Sequence, residues 1–318
     1  MTGPDVAELV TRARAGEPLA VGRLLSFVEA GGARAQQVAA ALADDGARAH
    51  VVGLTGPPGV GKSTMTSALV TALRARGDKI GVLAVDPSSP FSGGALLGDR
   101  VRMAEHTEDP GVFIRSMATR GQLGGLAGAT PQALRVLDAA GCDVVLIETV
   151  GVGQSEVDVV ALADTTVVLL APGMGDGVQA AKAGVLEVAD VFVVNKADRD
   201  GATQAVRELR HMIGFGEPGE WRVPVLRTVA SRGEGVDGLV AALDAHRQWS
   251  DGSGERDRRR VARAEAEIEA VAVARLRARI RDVRSGVGLS DLAKRVAAGE
   301  LDPYAAADEL EPGAVDRC

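Results

Sequence analysis

A glycine-rich run that ends in a lysine and a hydroxyl residue is the part of the sequence best suited to chemistry. Residues 56–63 read Gly-Pro-Pro-Gly-Val-Gly-Lys-Ser and match the pattern G-x-x-x-x-G-K-[ST]. Backbone N–H groups in such a loop can face phosphate oxygens, Lys62 can reach the terminal phosphates, and Ser63 can bind Mg²⁺. A glycine turn before a surface helix is the alternative. The predicted phosphate-binding residues are Gly56, Pro57, Pro58, Gly59, Val60, Gly61, Lys62, Ser63 and Thr64.

A second chemical motif, Asn195-Lys196-Ala197-Asp198, follows the apolar run 191–194. The Asp198 carboxylate can accept hydrogen bonds from the N1–H and the exocyclic amine of guanine, whereas adenine offers no such pair of donors on that edge. Asn195 is expected to hold the loop and contact N7, with the Lys196 stem over the base. A backbone N–H at 230–231 is expected to face O6, although a generic strand exit explains that loop equally well. The predicted guanine-binding residues are Asn195, Lys196, Asp198, Ala230 and Ser231.

Acidic residues follow two further predicted strands and indicate a magnesium site. Glu148 ends an apolar run and is followed three residues later by Gly151, whose N–H can face the γ-phosphate. Asp86 and Asp99 flank a long Gly/Pro/Ser-rich connection of the kind that forms mobile functional loops. A strand-end carboxylate without a ligand role is the alternative for Glu148, and a helix N-cap is the alternative for Asp99. The predicted metal-site residues are Ser63, Asp86, Asp99 and Glu148.

Short, continuous apolar runs separated by helical patterns must position these motifs. Runs of this kind are typical of parallel strands covered by helices on both faces. We therefore predict a doubly wound, mostly parallel α/β sheet of the P-loop NTPase class with flanking N-terminal and C-terminal helices. The predicted strands are His50 to Thr55, Ile80 to Val85, Val112 to Ser116, Asp143 to Thr149, Thr165 to Leu170, Val191 to Val194 and Val225 to Val229. The predicted crossover helices are Lys62 to Arg76, Pro131 to Ala140, Val178 to Val188, Thr203 to Met212 and Val236 to Arg247.

The flanking segments set the predicted domain limits. Residues 1–49 form an N-terminal helical segment with two short helices, residues 50–249 form the nucleotide-binding domain, and residues 255–318 form a C-terminal helical segment. A Gly/Ser linker is predicted at 250–254. Apolar residues at helical spacing then predict a long amphipathic helix over 255–283, followed by shorter helices at 290–298 and after Asp302-Pro303.

Composition narrows the classes of partner. The 318 residues carry a formal net charge of -7, which argues against broad attraction to nucleic acid or to an anionic membrane. No apolar run reaches the roughly 18 residues that a membrane-spanning helix needs. The two cysteines, Cys142 and Cys318, support neither a disulfide framework nor a thiolate metal cluster. We expect a cytoplasmic protein.

The motifs together resemble one family, the methylmalonyl-CoA mutase-associated GTPases of the MeaB/ArgK type. The resemblance rests on GPPGVGKST at 56–64, VDPSSPFSGG at 85–94, LGDRVRM at 97–103, ETVGVGQSE at 148–156, GDGVQAAKAGVLEVAD at 175–190 and NKAD at 195–198. It implies a GTP-hydrolysing chaperone that gates cofactor loading of an adenosylcobalamin-dependent acyl-CoA mutase and protects that enzyme, without binding cobalamin itself. It also implies a homodimer built with C-terminal helices.

The resemblance also assigns roles to individual residues. It places Asp86, Asp99 and Glu148 in the metal and switch network, and Gln179 and Lys182 in an additional switch that responds to the mutase. The catalytic residues expected on this basis are Lys62, Glu148, Gln179 and Lys182. The sequence departs from the family pattern in two places. Residues 180–184 read Ala-Ala-Lys-Ala-Gly where the family has a Gly-Ile-Lys-Lys-Gly type of run. Residues 228–230 read Thr-Val-Ala where the family has Thr-Ser-Ala. Basal turnover and its activation are therefore expected to differ from those of other members.

The expected reaction is in-line attack of water on GTP, slow in the isolated protein and completed by a partner. Three other functions compete with this interpretation. A nickel-type metallochaperone GTPase shares the fold, but the four histidines are scattered and no cysteine pair is present. A protein kinase would need a His-Arg-Asp motif and its own glycine loop, which the sequence lacks. The third alternative is a nucleotide-dependent scaffold whose hydrolysis is incidental.

Overall fold

The computed structural model describes residues 5–43, 45–46, 48–86, 103–118, 129–149, 161–173, 188–214, 220–281 and 289–310. These residues form two compact units, Met1–Arg263 and Ala264–Cys318. The division of the chain into segments 1–49, 50–249 and 255–318 stays a prediction. No helix in the described ranges is both long and apolar enough to cross a membrane.

Seven parallel strands form one sheet in the first unit, which confirms the predicted α/β class. The strands are β1 His50–Thr55, β2 Ile80–Asp86, β3 Val112–Ala118, β4 Val144–Thr149, β5 Thr165–Leu170, β6 Val191–Val194 and β7 Val225–Arg227. Their order across the sheet is β3-β2-β4-β1-β5-β6-β7. The chain therefore winds in both directions from β1, and a parallel sheet of this kind binds its ligands at the carboxyl ends of the strands around that point.

Helices of the first unit cover both faces of the sheet. They are α1 Val6–Arg14, α2 Pro18–Ala30, α3 Gly32–Ala41, α4 Lys62–Ala75, α5 Thr130–Ala139, α6 Ala202–Ile213 and α7 Val236–Ser253. Helix α8 Glu255–Arg281 begins in the first unit and ends in the second, which also contains α9 Leu289–Ala297 and α10 Pro303–Leu310. Alternate strand residues point to opposite faces. In β4, Val145 and Ile147 join a core with α1, α2, α3 and α5, whereas Val144 and Leu146 join a core with α4 and α7. Strand β4 is thus buried on both sides, and β1, β5 and β6 are buried at every residue, which explains why these strands show no alternation of apolar and polar residues.

Two predictions about helices were wrong. The N-terminal segment forms three helices rather than two, because Gly16 adopts a left-handed φ of 80° after α1 and Pro18 starts α2. The predicted linker at 250–254 is mostly helical, since α7 continues to Ser253 and only Gly254 takes the left-handed φ of 75°. Ser250 is buried, so this turn packs as part of the domain. The predicted helix at 178–188 falls almost entirely outside the described residues.

A hydrogen-bonded chain of buried side chains crosses the amino ends of the strands, at the opposite end from the phosphate loop. His50 Nε2 and His246 Nδ1 each lie 2.7 Å from Thr165 Oγ1. The second nitrogen of His246 is 3.2 Å from Asp190 Oδ1. A threonine hydroxyl has one hydrogen. Thr165 Oγ1 therefore donates to one of the two histidine nitrogens and can accept from the other, so the tautomers of His50 and His246 are linked through this hydroxyl. Burial lowers the pKa of His50 to about 4.

The first turns of α8 complete this layer with arginines. Asp164 Oδ1 accepts from Arg263 at 2.7 Å, and its Oδ2 accepts from the Val51 N–H at 3.0 Å. Burial by itself would raise the pKa of Asp164, but these contacts outweigh it and lower the pKa. Arg259 pairs with Asp190 at 2.6 Å in the same way. The helix is therefore tied to the residues that begin β1, β5 and β6.

Candidate nucleotide-binding site

The glycine-rich loop connects the carboxyl end of β1 to the N-terminus of α4. Gly56, Gly59 and Gly61 have φ values of 140°, 78° and 95°, which residues with side chains rarely adopt. A Cβ at Gly56 would lie 2.2 Å from Leu169 O, and one at Gly61 would lie 2.7 Å from Asn195 Nδ2. Glycine is needed at both positions because neighbouring atoms fill the space of a side chain.

Lys62 is held against this loop as the first residue of α4. Its Nζ donates to Gly56 O at 2.6 Å and to Pro57 O at 3.2 Å. The lysine is buried, and so is Val60 at the tip of the loop. The N-terminal N–H groups of α4 emerge beside this ammonium group, and both favour an anion. The predicted phosphate site is therefore a compact set of N–H and ammonium donors.

Asn195 links the phosphate loop to the base loop. Its Nδ2 donates to Val60 O at 2.9 Å, while its Oδ1 accepts from Thr228 Oγ1 at 3.1 Å and from Ala230 N at 3.0 Å. The second Nδ2 hydrogen is the group that the predicted N7 contact would use. The Ala230 N–H donates to Asn195 Oδ1. Of the two backbone N–H groups predicted to donate to guanine O6, we therefore expect that of Ser231 to make the contact.

Lys196 and Asp198 face a cavity of about 160 Å³ between the phosphate loop, the 195–199 loop and residues 229–231. Lys196 has a left-handed φ of 56°, and its Nζ donates to Gly59 O at 2.6 Å. Its stem therefore runs across the cavity, as the predicted cover of a base requires. The Asp198 carboxylate is 37% exposed and lies 3.3 Å from the Arg232 guanidinium. Base loop and phosphate loop thus form one continuous site.

The carboxylate of Glu148 lies at the end of β4, next to β1, and contacts two hydroxyls of α4. Ser63 Oγ donates to Glu148 Oε1, and Thr66 Oγ1 donates to Oε2 at 3.0 Å. All three residues are buried. The donor set consists of oxygen atoms, as Mg²⁺ prefers. The structure thus brings together Ser63 and Glu148, two of the four predicted metal-site residues.

Other predicted residues are placed in part or not at all. Asp86 ends β2, and its neighbour Val85 pairs with Thr149, so its backbone adjoins the end of β4. The side chain of Asp86 lies outside the described part, as do Asp99, Gly151, Gln179 and Lys182 in full. Their assigned roles stay predictions.

The sequence reasoning missed several residues that shape the site. Thr66 lies one turn after Ser63 on the same face of α4, and this spacing is a signal that could have identified it. His106 Nε2 lies 3.0 Å from Ser67 Oγ, which also donates to Glu105. That contact ties residues 103–106 to α4, and no local pattern announces it because the partners are far apart in the chain.

The phosphate loop joins a strand to a helix and lies beside an Asn-Lys-x-Asp loop on a doubly wound parallel sheet. This combination defines a P-loop GTPase. Comparison with family models matches residues 21–285 to the methylmalonyl-CoA mutase-associated GTPase MeaB. The match covers most of the chain, and the chain belongs to the MeaB family.

Individual relatives agree with this assignment. A protein of Pyrococcus abyssi named as a GTPase is 45% identical over 310 residues, which cover 96% of this chain and 95% of the relative. The mouse methylmalonic aciduria type A homolog is 36% identical over 267 residues, covering 81% of this chain and 64% of the mouse protein. The crystal structure of a protein called LAO/AO transport system kinase superposes with a TM-score of 0.71 at 26% identity and covers 98% of this chain and 97% of that one. The chain is a GTPase related to these proteins.

Proposed function

We propose that this GTPase is a chaperone that gates adenosylcobalamin loading of an acyl-CoA mutase, methylmalonyl-CoA mutase or a relative, and protects that enzyme from inactivation. The observation that carries the proposal is the match of residues 21–285 to a family described by its association with methylmalonyl-CoA mutase. The similarity to the mouse methylmalonic aciduria type A homolog supports it. In this role the chain itself binds GTP and GDP, and the mutase binds the cobalamin.

Nucleotide binding follows from the contacts around the two loops. The N–H groups of the phosphate loop and α4 bind the phosphates, and Lys62 exchanges its bonds to Gly56 O and Pro57 O for bonds to phosphate oxygens. Asp198 leaves Arg232 and accepts two hydrogen bonds from guanine. Asn195 keeps the two loops in register, so base recognition and phosphate binding occur at a fixed separation.

Magnesium fits the oxygen atoms around α4. Ser63 Oγ donates its hydrogen bond to Glu148 Oε1, which leaves the lone pairs of the hydroxyl oxygen for a cation, and the carboxyl group of Glu148 is buried nearby. Bound there with the phosphates, Mg²⁺ would neutralise charge that develops on the transferred phosphoryl group. Lys62 and the loop N–H groups stabilise the same charge. Asp86 and Asp99 are the further carboxylates that we propose for this network.

Hydrolysis on this proposal is slow in the isolated protein and faster with the mutase. The proposal is supported by the roles of the residues at the site. Lys62, Ser63 and the N–H groups stabilise negative charge, but none of these roles orients the attacking water. We propose that the mutase completes the site through the switch that includes Gln179 and Lys182.

A homodimer through the C-terminal helices is part of the proposal. Ile268 and Leu276 lie eight positions apart on α8 and are 69% and 45% exposed, so two large apolar side chains share one exposed side of this helix. A second copy of the chain would cover them. Sedimentation of the native protein and of an Ile268→Glu variant tests this: a dimer that the substitution dissociates is expected, and a wild-type monomer at micromolar concentration would contradict it.

The functional test uses the purified protein with an adenosylcobalamin-dependent mutase from the same cell. We expect the two proteins to co-purify, with a stability of the complex that differs between GDP and a non-hydrolysable GTP analogue. Transfer of adenosylcobalamin to the apo-mutase should depend on GTP hydrolysis and fail with Lys62→Ala. A mutase that loads cofactor at the same rate with GTP, with the analogue and without the GTPase would refute the chaperone role. The cytoplasmic location stays a prediction.

A further inference from the structure

Glu148 is held through both of its carboxylate oxygens by a single helix. Ser63 Oγ donates to Oε1, while Thr66 Oγ1 donates to Oε2 at 3.0 Å. The two hydroxyl residues are three positions apart on α4, which places them on one face of the helix. Thr66 is completely buried and Glu148 is 4% exposed, so water does not compete for the second contact.

The contact made by Thr66 has a specific geometric consequence. The hydroxyl is also 3.1 Å from Lys62 O in its own helix, so its one hydrogen lies between that carbonyl oxygen and Glu148 Oε2, which is at 3.0 Å. Glutamate has one more rotatable bond than aspartate, so a carboxylate fixed at only one oxygen can swing. With Oε2 fixed by Thr66, Oε1 stays where it receives the Ser63 hydrogen, and the Ser63 lone pairs keep a constant direction.

We propose that Thr66 is a positioning residue for the magnesium site, which it serves by fixing Glu148 and, through it, the orientation of Ser63. The inference rests on the proposed function, in which Ser63 binds Mg²⁺ together with the nucleotide. Thr66 is completely buried, so on this proposal it acts on the metal only through Glu148. Its loss should therefore weaken the effect of Mg²⁺ on nucleotide binding while leaving metal-free nucleotide binding unchanged.

The test measures release of a fluorescent GDP from the intact protein at increasing MgCl₂ and in EDTA. For Thr66→Val, which keeps the shape and removes the hydroxyl, the Mg²⁺ concentration that half-maximally slows release should rise about tenfold, as is usual when a partner of a metal ligand is lost. Release in EDTA should change less than about twofold. Thr66→Ser should restore the wild-type response.

Thr71→Val is the matched control. Thr71 Oγ1 makes the same bond to a carbonyl one turn earlier on α4, to Ser67 O at 3.1 Å, but no carboxylate contact is described for it. A folded Thr66→Val variant whose magnesium response matches that of wild type and Thr71→Val would overturn the inference. The inference would also be overturned if Thr66→Val changed the rate of GDP release in EDTA as much as it does in MgCl₂. Thr66→Ala carries the same test if the valine variant does not fold. If Mg²⁺ does not slow release from the wild type, the proposed metal site itself fails.

Discussion

Replacing His50 by glutamine should change how stability depends on pH, and the structure sets the size of the change. His50 Nε2 lies 2.7 Å from Thr165 Oγ1, and burial lowers the pKa of His50 from the ordinary 6.5 to about 4. A glutamine amide can donate from a similar position but does not titrate. Between those two pKa values the unfolded chain binds a proton that the folded chain does not, so the wild type loses stability as the pH falls through that window.

The expected loss follows from 1.36 kcal/mol per pKa unit. Linkage predicts a His50 contribution near zero at pH 7, about 2 kcal/mol lost at pH 5 and about 3 kcal/mol lost at pH 4. Urea unfolding of wild type and His50→Gln at these three pH values measures it, with tryptophan fluorescence as the signal because Trp221 and Trp249 pack against His246. The stability curves of the two proteins should converge or cross as the pH falls. Curves that stay parallel from pH 7 to pH 4 would refute both the depressed pKa and the neutral histidine in the chain.

Two further predictions concern the base loop and the amino end of the sheet. In Asp198→Asn an amide donor faces the guanine N1–H and amine, so GTP binding should weaken about 100-fold or more. Xanthosine triphosphate carries a carbonyl in place of the amine and should bind better to this variant than to the wild type. Competition with fluorescent GDP measures both affinities, and retained guanine selectivity would contradict the role of Asp198. Asp164→Asn removes the carboxylate that pairs with Arg263 and should lower the free energy of unfolding by about 3 kcal/mol in urea titrations. The control is the surface variant Asp291→Asn, which loses an exposed pair with Lys294. If both variants lowered the free energy of unfolding by the same small amount, the buried pair would contribute little to stability.

Sequence patterns were sufficient where one local signal dominates. The bounds of β1, β5 and β6 match the predicted strands at both ends, because each is a short run rich in β-branched and apolar residues. The loop at 56–63 and the Asn195 loop were located by motifs whose mechanism fixes their place in the fold.

Sequence patterns failed where a tertiary contact outweighs the local preference. The Gly/Ser content of 250–253 favours a linker, but burial of Ser250 and continued packing of α7 keep the turn helical. The partners of Glu148 and of His50 are far away in the chain, at Thr66 and Thr165. Such pairs depend on which strands and helices pack together in the folded protein. The periodicity of a single segment therefore cannot predict them.

We propose that this MeaB-family GTPase uses its nucleotide to serve an acyl-CoA mutase. Single-turnover hydrolysis of GTP, measured with the isolated protein and again with its adenosylcobalamin-dependent mutase added, tests that claim most directly. We expect slow hydrolysis by the isolated protein and a clear acceleration by the mutase. Rapid hydrolysis by the isolated protein, unchanged by any acyl-CoA mutase, would contradict it.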